Sequence, residues 1–258
     1  MRAKKISRSY GNKKVLKEIN LSIRKGESLG IIGPNGSGKT SLLELLSGVV
    51  KAKKGQIYYE GKNIQNYPRK ELARSLAVLQ QKALPVMNFT VREVVKMGRY
   101  PHQNWLGEEK KDSQKLIDNI LRKMTLLSLE NRELSQLSGG ERQRVALAKV
   151  MVQEPSLVML DEPTTYLDIG HQIQLMDQIQ SWQTETNLTV ISVLHDLNLA
   201  ALYCEQLILM HEGKIIKKGR AREVLKKDLI KKVYGTSPVI IEHPSRKVPQ
   251  VILERNLE

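Results

Sequence analysis

The stretch that decides the fold runs from Gly33 to Thr40 and reads GPNGSGKT. It follows an apolar run, Ser28 to Ile32, which predicts a buried strand, and it precedes Ser41 to Val50, which predicts a helix. The stretch matches the pattern G-x-x-x-x-G-K-[ST], in which glycines let the backbone turn so that successive N–H groups point at phosphate oxygens. The sequence therefore predicts a phosphate-binding loop between a strand and a helix.

The positions of this loop have expected roles in binding a nucleotide. The first turn of the following helix adds its partial positive charge. Lys39 is expected to neutralise the β- and γ-phosphates, and Thr40 is expected to offer its hydroxyl to Mg²⁺. The candidate nucleotide-binding residues of the stretch are Gly33, Pro34, Asn35, Gly36, Ser37, Gly38, Lys39, Thr40 and Ser41.

A pair of acids ends a second apolar run, Ser156 to Leu160. Transfer of a phosphoryl group to water needs a metal ligand and a group that orients or deprotonates the water. Asp161 is expected to hold Mg²⁺, directly or through water, and Glu162 is expected to be the general base. Helix caps and turns use the same acids, so this interpretation depends on the phosphate loop in the same chain.

A third motif, residues 137–145, reads LSGGERQRV and precedes a predicted helix. Ser138, Gly139 and Gly140 would form a second anion site at the start of that helix. Ser138 lies 23 residues before Asp161 (161 − 138). A helix cap explains a Ser-Gly-Gly turn alone, but it does not explain the whole run at this distance from the acids.

These motifs resemble those of ABC transporter nucleotide-binding domains, and the resemblance covers nearly the whole chain. Residues 33–40 resemble the Walker A motif, residues 137–141 the signature motif and residues 157–162 the Walker B motif. The resemblance implies an α/β fold: a P-loop NTPase core with a parallel sheet, an N-terminal antiparallel β subdomain and an inserted α-helical lobe. It also implies that ATP lies between the phosphate loop of one subunit and the signature serine of another, in a homodimer.

Further residues resemble smaller motifs of the family. Tyr10 resembles the aromatic residue that stacks on adenine. Gln81 resembles the Q-loop glutamine, which senses Mg²⁺ and the partner, although the adjacent Gln80 is an alternative. Asp168 resembles the D-loop aspartate, and Tyr166 stands where a small residue is commoner.

His195, after the apolar run Thr189 to Leu194, resembles the switch histidine of the family, which contacts the γ-phosphate. The resemblance therefore implies that the site binds ATP and Mg²⁺, with one set of side chains for catalysis and one set that holds the metal. The candidate catalytic residues are Lys39, Gln81, Glu162 and His195, and the candidate metal ligands are Thr40, Gln81 and Asp161.

The order of patterns indicates a single ATPase domain over residues 1–258. Short β-rich runs within residues 1–26 and 55–60 predict the antiparallel sheet. Residues from about 84 to 140 depart from the strand–helix alternation and predict the inserted helical lobe, and residues from about 236 to 258 predict a C-terminal β-hairpin. Apolar residues at helical spacing predict buried helix faces, among them Ile169, Ile173, Met176 and Ile179.

Composition limits the location of the protein. The chain shows no signal peptide and no run of about 18 apolar residues, so we expect any membrane link to come through a partner. Cys204 is the only cysteine and follows an apolar run, which predicts a buried thiol in a reducing cytoplasm. The expected location is the cytoplasmic face of the cell membrane, as a peripheral protein.

The formal charge of +15 is unevenly distributed along the chain. Residues 1–25 hold nine Lys/Arg and one Glu, and residues 211–235 hold nine Lys/Arg and three Asp/Glu. Only Tyr10 and Tyr234 interrupt these stretches as aromatic residues, which counts against stacking on a single-stranded nucleic acid. The simplest interpretation is a solvated basic face, and a face near anionic lipid is the alternative. No nucleic-acid partner is expected.

Residues 89–95, 97–102, 195–200 and 242–244 are similar to importers of iron–siderophores, haem and cobalamin. The similarity implies integral membrane permease subunits and, indirectly, an extracytoplasmic substrate-binding protein as partners. Residues from about 82 to 105 are expected to line the groove for a permease helix, with exposed residues at Arg99, His102 and Trp105. The alternatives are a soluble ABC-type ATPase of iron–sulfur cluster assembly and a nucleic-acid-linked ATPase.

Overall fold

Strands and helices alternate along most of the chain. The computed structural model describes residues 1–80, 84, 88–104, 107–109 and 113–254. The strands are β1 Arg2–Tyr10, β2 Lys13–Ser22, β3 Ser28–Ile32, β4 Lys54–Tyr59, β5 Lys62–Asn63, β6 Leu76–Leu79, β7 Leu157–Asp161, β8 Thr189–Val193, β9 Gln206–His211, β10 Lys214–Gly219, β11 Val239–Glu242 and β12 Pro249–Ile252. The α-helices are α1 Lys39–Leu46, α2 Arg69–Ser75, α3 Val91–Met97, α4 Gln114–Lys123, α5 Gly139–Met151, α6 Ile169–Thr186, α7 Leu197–Tyr203, α8 Ala221–Val224 and α9 Lys227–Tyr234.

The chain divides into two compact units, and the first consists of Met1–Asn66 and Thr189–Glu258. One of its sheets is antiparallel, with the order β2-β1-β4-β5. In its other sheet β3 pairs in parallel with β8 on one side and with β9 on the other, while β10 runs antiparallel to β9. Every residue of β3 is buried, as a parallel strand covered on both faces requires. The predicted α/β fold with a parallel sheet is confirmed.

Helix α1 differs from the predicted helix at both ends. It begins at Lys39 and ends at Leu46, whereas the sequence predicted a helix from Ser41 to Val50. The early end follows from Gly48, whose φ of 72° lies in the left-handed region that commonly ends helices.

The second unit, Tyr67–Leu188, combines a short parallel strand pair with most of the helices. Strands β6 and β7 pair in parallel, with Leu79 opposite Leu160. Helices α3, α4 and α5 pack against one another. The prediction of a buried face along α6 is only partly right, because Ile169 is 80% exposed and Met176 only 2%. No helix in the described ranges is both long and apolar enough to span a membrane.

Strands β11 and β12 form an antiparallel hairpin in the first unit, with Val239 opposite Ile252. Arg222 of α8 holds the hairpin near its turn, donating to Oε2 of Glu242 and to the carbonyl of Lys247, each at 2.6 Å. Asn198 of α7 holds β12, since its Oδ1 accepts from the Val251 N–H at 2.7 Å and its Nδ2 donates to the Val251 carbonyl at 3.2 Å.

Cys204 lies directly after α7 and is buried and free, so the predicted buried thiol is confirmed. Its burial raises the pKa of the thiol to about 12, against a weaker opposing effect of a hydrogen bond with Ser28. A thiol with this pKa is protonated and inert at neutral pH.

Positive charge is concentrated in the first unit. Residues 1–66 and 189–258 contain 26 Lys/Arg and 12 Asp/Glu, a net charge of +14. Residues 67–188 contain 16 Lys/Arg and 15 Asp/Glu, a net charge of +1. The basic character of the chain is therefore a property of one unit.

Candidate nucleotide site

The phosphate loop connects β3 to α1, and close packing of backbone against backbone fixes its shape. A Cβ on Gly33 would lie 2.2 Å from the carbonyl oxygen of Met210, so no larger residue fits there. Gly38 has a φ of 100°, and a Cβ on it would lie 2.9 Å from the carbonyl oxygen of Val15. The loop therefore takes a conformation that only glycine permits at these two positions.

Lys39 lies inside the loop rather than in solvent. It is 5% exposed, and its Nζ donates to the carbonyl oxygens of Gly33 at 2.8 Å and Pro34 at 3.1 Å. The ammonium group is thus held among the loop's own carbonyls, close to where a phosphate would bind.

Other residues of the loop also fit a polyanion. The Ser37 hydroxyl is buried and has no hydrogen-bond partner within the described part of the chain. Asn35, Gly36 and Thr40 are exposed, and Ser41 is half-buried. A tight glycine turn, a buried lysine and an unpartnered hydroxyl together suit the terminal phosphates of a nucleotide.

His195 lies beside this loop, because β3 and β8 are neighbouring parallel strands. Ile31 is opposite Val193, and the Leu194 N–H donates to the carbonyl of Ile31 at 3.1 Å. The phosphate loop and His195 therefore leave the carboxyl ends of adjacent strands. The His195 side chain is exposed at this edge.

Tyr10 ends β1 and is 50% exposed. Its hydroxyl donates to Oε2 of Glu44 at 3.2 Å, and the guanidinium carbon of Arg8 lies 4.3 Å from the centre of its ring. The ring is therefore held between β1 and helix α1.

Tyr234 is a further contact of the phosphate loop that the sequence reasoning missed. Burial raises the pKa of its hydroxyl to about 12, and a hydrogen bond with the Gly33 backbone opposes that shift. In the sequence this tyrosine is only one of two aromatic residues in the basic stretches. Nothing near it in the sequence points to Gly33.

In the second unit, Asp161 ends β7 and is 8% exposed. Glu162 follows with a φ of 52°, a left-handed conformation that is uncommon for a residue with a side chain and concentrates at functional sites. Thr165 supports it, because its N–H donates to the Glu162 carbonyl at 3.2 Å and its hydroxyl donates to Oε2 of Glu162 at 3.4 Å.

Ser138 is the N-cap of α5 and forms a capping box with Glu141. The Ser138 hydroxyl accepts from the Glu141 N–H at 3.3 Å, and Oε2 of Glu141 accepts from the Ser138 N–H at 2.7 Å. These hydrogen bonds lower the pKa of Glu141. Gly139 is exposed and Gly140 is half-buried, so the turn presents its backbone at the surface.

Asp168 caps α6 and orients His171, a residue that the sequence reasoning missed. Oδ1 of Asp168 accepts from the His171 N–H at 2.9 Å, and its Oδ2 lies 2.7 Å from Nδ1 of the His171 ring. A Cβ on Gly140 would lie 3.4 Å from Cδ2 of that ring. The D-loop aspartate and the signature turn are therefore connected through one histidine.

The signature helix also contacts the loop after the acid pair. Nε2 of Gln143 donates to the carbonyl of Pro163 at 2.9 Å, and Gln143 is 5% exposed. The second unit thus carries Asp161 and Glu162, and its signature turn lies against His171, which Asp168 orients. The first unit brings together Tyr10, the phosphate loop and His195.

Two sequence predictions lie outside the described residues, namely the Q-loop at Gln81 and the exposure of Trp105. The predicted exposure of Arg99 is wrong. Arg99 is 4% exposed and donates to the carbonyl of Val152 at 2.6 Å and to the carboxylates of Glu109 and Glu154. Its charge is balanced inside the second unit, so it cannot be a surface contact.

His102 is also less exposed to a permease partner than the sequence predicts. It is half-buried, and its Nε2 lies 2.9 Å from the carbonyl of Gln153. Three large apolar or aromatic side chains of this region are exposed: Phe89 at 44%, Met97 at 37% and Tyr100 at 70%. The polar residues Asn88, Glu93 and Lys96 are exposed beside them in the sequence.

Comparison with known sequences gives a consistent family. Residues 16–165 match the family described as ABC transporter. The uncharacterized ABC transporter ATP-binding protein YvrA of Bacillus subtilis (strain 168) is 39% identical over 255 residues, which cover 98% of this chain and 58% of YvrA. The ferric enterobactin transport ATP-binding protein FepC of Escherichia coli (strain K12) is 37% identical, covering 98% of this chain and 93% of FepC. The iron(3+)-hydroxamate import ATP-binding protein FhuC of Bacillus subtilis (strain 168) is 35% identical, covering 93% and 89%.

Solved structures agree with the sequence relatives. The cbiO1 protein from Clostridium perfringens, part of the ABC transporter complex cbiONQ, matches with a TM-score of 0.78 and 30% identity, covering 90% of this chain and 92% of that chain. The dimeric structure of MJ0796, a bacterial ABC transporter cassette, matches with a TM-score of 0.73 and 27% identity, covering 85% and 97%.

Proposed function

Because this chain belongs to the ABC transporter family, whose members hydrolyse ATP to power transport, we propose that it is the ATPase subunit of an importer for iron–siderophores, haem or cobalamin. The observation that carries the nucleotide assignment is the phosphate loop, which admits only glycine at Gly33 and Gly38 and holds Lys39 inside. The cargo assignment rests on relatives such as FepC and FhuC, which are named for ferric enterobactin and iron(3+)-hydroxamate.

In the proposed mechanism, the loop backbone and Lys39 bind the β- and γ-phosphates. Thr40, Gln81 and Asp161 would hold Mg²⁺, since hydroxyl, amide and carboxylate oxygens are the donors that this ion prefers. When bound, Mg²⁺ neutralises charge on the phosphate oxygens.

Glu162 takes a proton from the attacking water as the water oxygen bonds to the γ-phosphorus. The bond from that phosphorus to the β–γ bridging oxygen breaks, and ADP and phosphate leave. His195 contacts the γ-phosphate and orients it. Tyr10 stacks on the adenine base.

The second half of each site comes from another copy of the chain, through the turn of Ser138, Gly139 and Gly140. The apolar exposure around the D-loop supports such a partner, because Tyr166 is 92% exposed and Ile169 is 80% exposed. Two copies packed head to tail would cover these residues.

A permease is the proposed membrane partner, and it places the chain at the cytoplasmic face of the cell membrane. Phe89, Met97 and Tyr100 are each exposed in the second unit, and we expect a permease helix to cover such side chains. An extracytoplasmic binding protein would deliver the cargo to that permease. Co-purification with an integral membrane protein separates this role from a soluble assembly ATPase.

Two variants test the chemistry. Glu162→Gln should bind ATP and accumulate a stable dimer while hydrolysis falls at least about 100-fold, because the base is lost and the binding contacts survive. Lys39→Ala should weaken ATP binding itself. Calorimetry, size-exclusion chromatography and phosphate release measure the three properties. Hydrolysis by Glu162→Gln at the normal rate would show that the base is another group.

A further inference from the structure

We propose that Arg8 and Glu44 are positioning residues that hold the Tyr10 ring for the nucleotide base. They would thereby help the site to distinguish a nucleoside triphosphate from a bare triphosphate. The inference rests on the proposed base stacking by Tyr10 and adds two residues to that site. It starts from a cluster of three side chains on β1 and α1.

One carboxylate oxygen joins this cluster. Oε2 of Glu44 accepts from Nη1 of Arg8 at 3.0 Å and from the hydroxyl of Tyr10 at 3.2 Å. Arg8 and Tyr10 are two residues apart on β1, and their shared contact with Glu44 places both side chains on the side of α1. The ring cannot rotate away without breaking its bond to Glu44 and its contact with Arg8.

The guanidinium of Arg8 occupies one face of the ring. It lies 4.3 Å from the ring centre, and the Arg8 side chain is only 10% exposed. Tyr10 nevertheless remains 50% exposed, so the ring keeps an open side. A base can then stack on the face opposite Arg8, against a ring whose position is already fixed.

Glu44 ties this ring to the phosphate site. It lies four residues after Thr40 on α1, and side chains at that spacing share one face of a helix. The helix that begins at Lys39 therefore carries both the phosphate contacts and the anchor of the aromatic ring. Preorganised in this way, the base and phosphate sites keep a constant separation.

The test compares two ligands, the magnesium complexes of a non-hydrolysable ATP analogue and of inorganic tripolyphosphate. Arg8→Gln and Glu44→Gln should each lower the affinity for the ATP analogue about two- to tenfold, because the ring of Tyr10 is no longer held. The affinity of Arg8→Gln for tripolyphosphate should change less than about twofold relative to the control below, and that of Glu44→Gln should not fall. Arg8→Lys should restore part of the loss, since an ammonium group also binds an aromatic face.

Lys4→Gln is the matched control. Lys4 lies on the same strand with its Nζ 5.6 Å from the ring centre of Tyr58, so its loss removes one charge and one cation–π contact away from the phosphate loop. It corrects Arg8→Gln for the general effect that the loss of one positive charge has on polyanion binding. Melting temperatures of all variants show whether a loss of affinity reflects unfolding.

The outcomes separate this inference from the proposed function. If Tyr10→Ala binds the ATP analogue as tightly as the unaltered chain, base stacking itself is wrong. If Tyr10→Ala weakens binding but Arg8→Gln and Glu44→Gln do not, only the positioning role is wrong. Tighter binding by Arg8→Gln would show that Arg8 occupies the place of the base, and equal losses for both ligands would show a general effect on the loop. In the Tyr10→Ala background, Arg8→Gln should have no additional effect.

Discussion

Arg99 is a buried charge that carboxylates balance directly. Its guanidinium meets two carboxylates and one backbone carbonyl while only 4% of the residue is exposed. Burial by itself would raise the pKa of Glu109, but hydrogen bonds from Arg99 and Ser113 outweigh it and lower that pKa. The arginine thus belongs to the interior of the second unit.

Arg99→Met should therefore destabilise the protein by about 3 kcal/mol, since the carboxylate of Glu109 would lose its partner. Chemical denaturation measures the free energy of unfolding. Arg92→Met is the control, because Arg92 also binds two carboxylates but its side chain is 31% exposed. Arg92→Met should lower the free energy of unfolding by about 1 kcal/mol or less. Equal losses for the two variants would contradict the role of burial.

Sequence motifs identified residues whose chemistry is local, and they missed residues that act across the fold. Lys39 and Ser138 lie in contiguous runs that resemble family motifs, and the resemblance predicts their roles. The acceptors of Arg99 include Val152 and Glu154, which are 53 and 55 residues away along the chain. Tyr234 meets Gly33 in the same long-range way. No local pattern marks such contacts, because the fold alone brings them together.

At the scale of elements, the side chain of Asn198 holds the C-terminal hairpin by bonding to the backbone of β12. Asn198 makes two hydrogen bonds to the backbone of Val251, as a paired strand would. Asn198 also lies close in the chain to His195, so the hairpin supports the helix that follows the proposed switch residue.

Asn198→Ala should release β12 from α7. Exchange of the Val251 amide hydrogen should accelerate at least about tenfold, because the amide loses its acceptor. Hydrogen exchange followed by mass spectrometry reports this directly. Gln250→Ala is the control, since within the described part of the chain the Gln250 side chain bonds only to the adjacent Pro249 carbonyl. Unchanged exchange at residues 249–252 would contradict the role of Asn198.

The capping box of α5 should respond to acid. The folded-state pKa of Glu141 is lowered by the Ser138 hydrogen bonds, so its contribution to stability is complete above the ordinary pKa of 4.5 and is lost as the pH falls through the lowered value. A titration that follows the carboxyl carbon by NMR should give Glu141 a pKa below 4.5. Glu141→Gln should lack this acid-dependent loss. Titration of Glu141 at or above the ordinary value would contradict the assignment.

The bounds of elements were less predictable than their existence. Strand β3 spans the predicted residues, and a helix follows the phosphate loop as expected. The end of α1 depends on the left-handed backbone at Gly48, which a glycine permits but does not require. The exposure of Ile169 could not be read from spacing either, because periodicity does not distinguish a core face from a surface left for a partner.

At the scale of the whole molecule, the proposed head-to-tail pairing can be tested by mixing two variants that are each inactive alone. Lys39→Ala damages the phosphate loop, and Ser138→Arg damages the turn that would complete the partner's site. A mixed dimer would contain one site with both changes and one site with neither. Mixing should therefore restore up to roughly a quarter of the unaltered activity, since half of the dimers are mixed and each has one intact site of two.

The controls are each variant alone and the same mixture without time for exchange. Phosphate release measures activity. Normal activity of Ser138→Arg alone would contradict a site shared between chains, whatever the mixture does.

The buried thiol after α7 makes the protein a convenient object for spectroscopy. Because burial raises its pKa to about 12 and only 8% of the residue is exposed, the native sulfur stays almost entirely in the unreactive thiol form at neutral pH. Maleimide dyes and spin labels will therefore attach almost only at cysteines placed on purpose. Distances between probes, or the approach of two chains, can be followed without first removing Cys204.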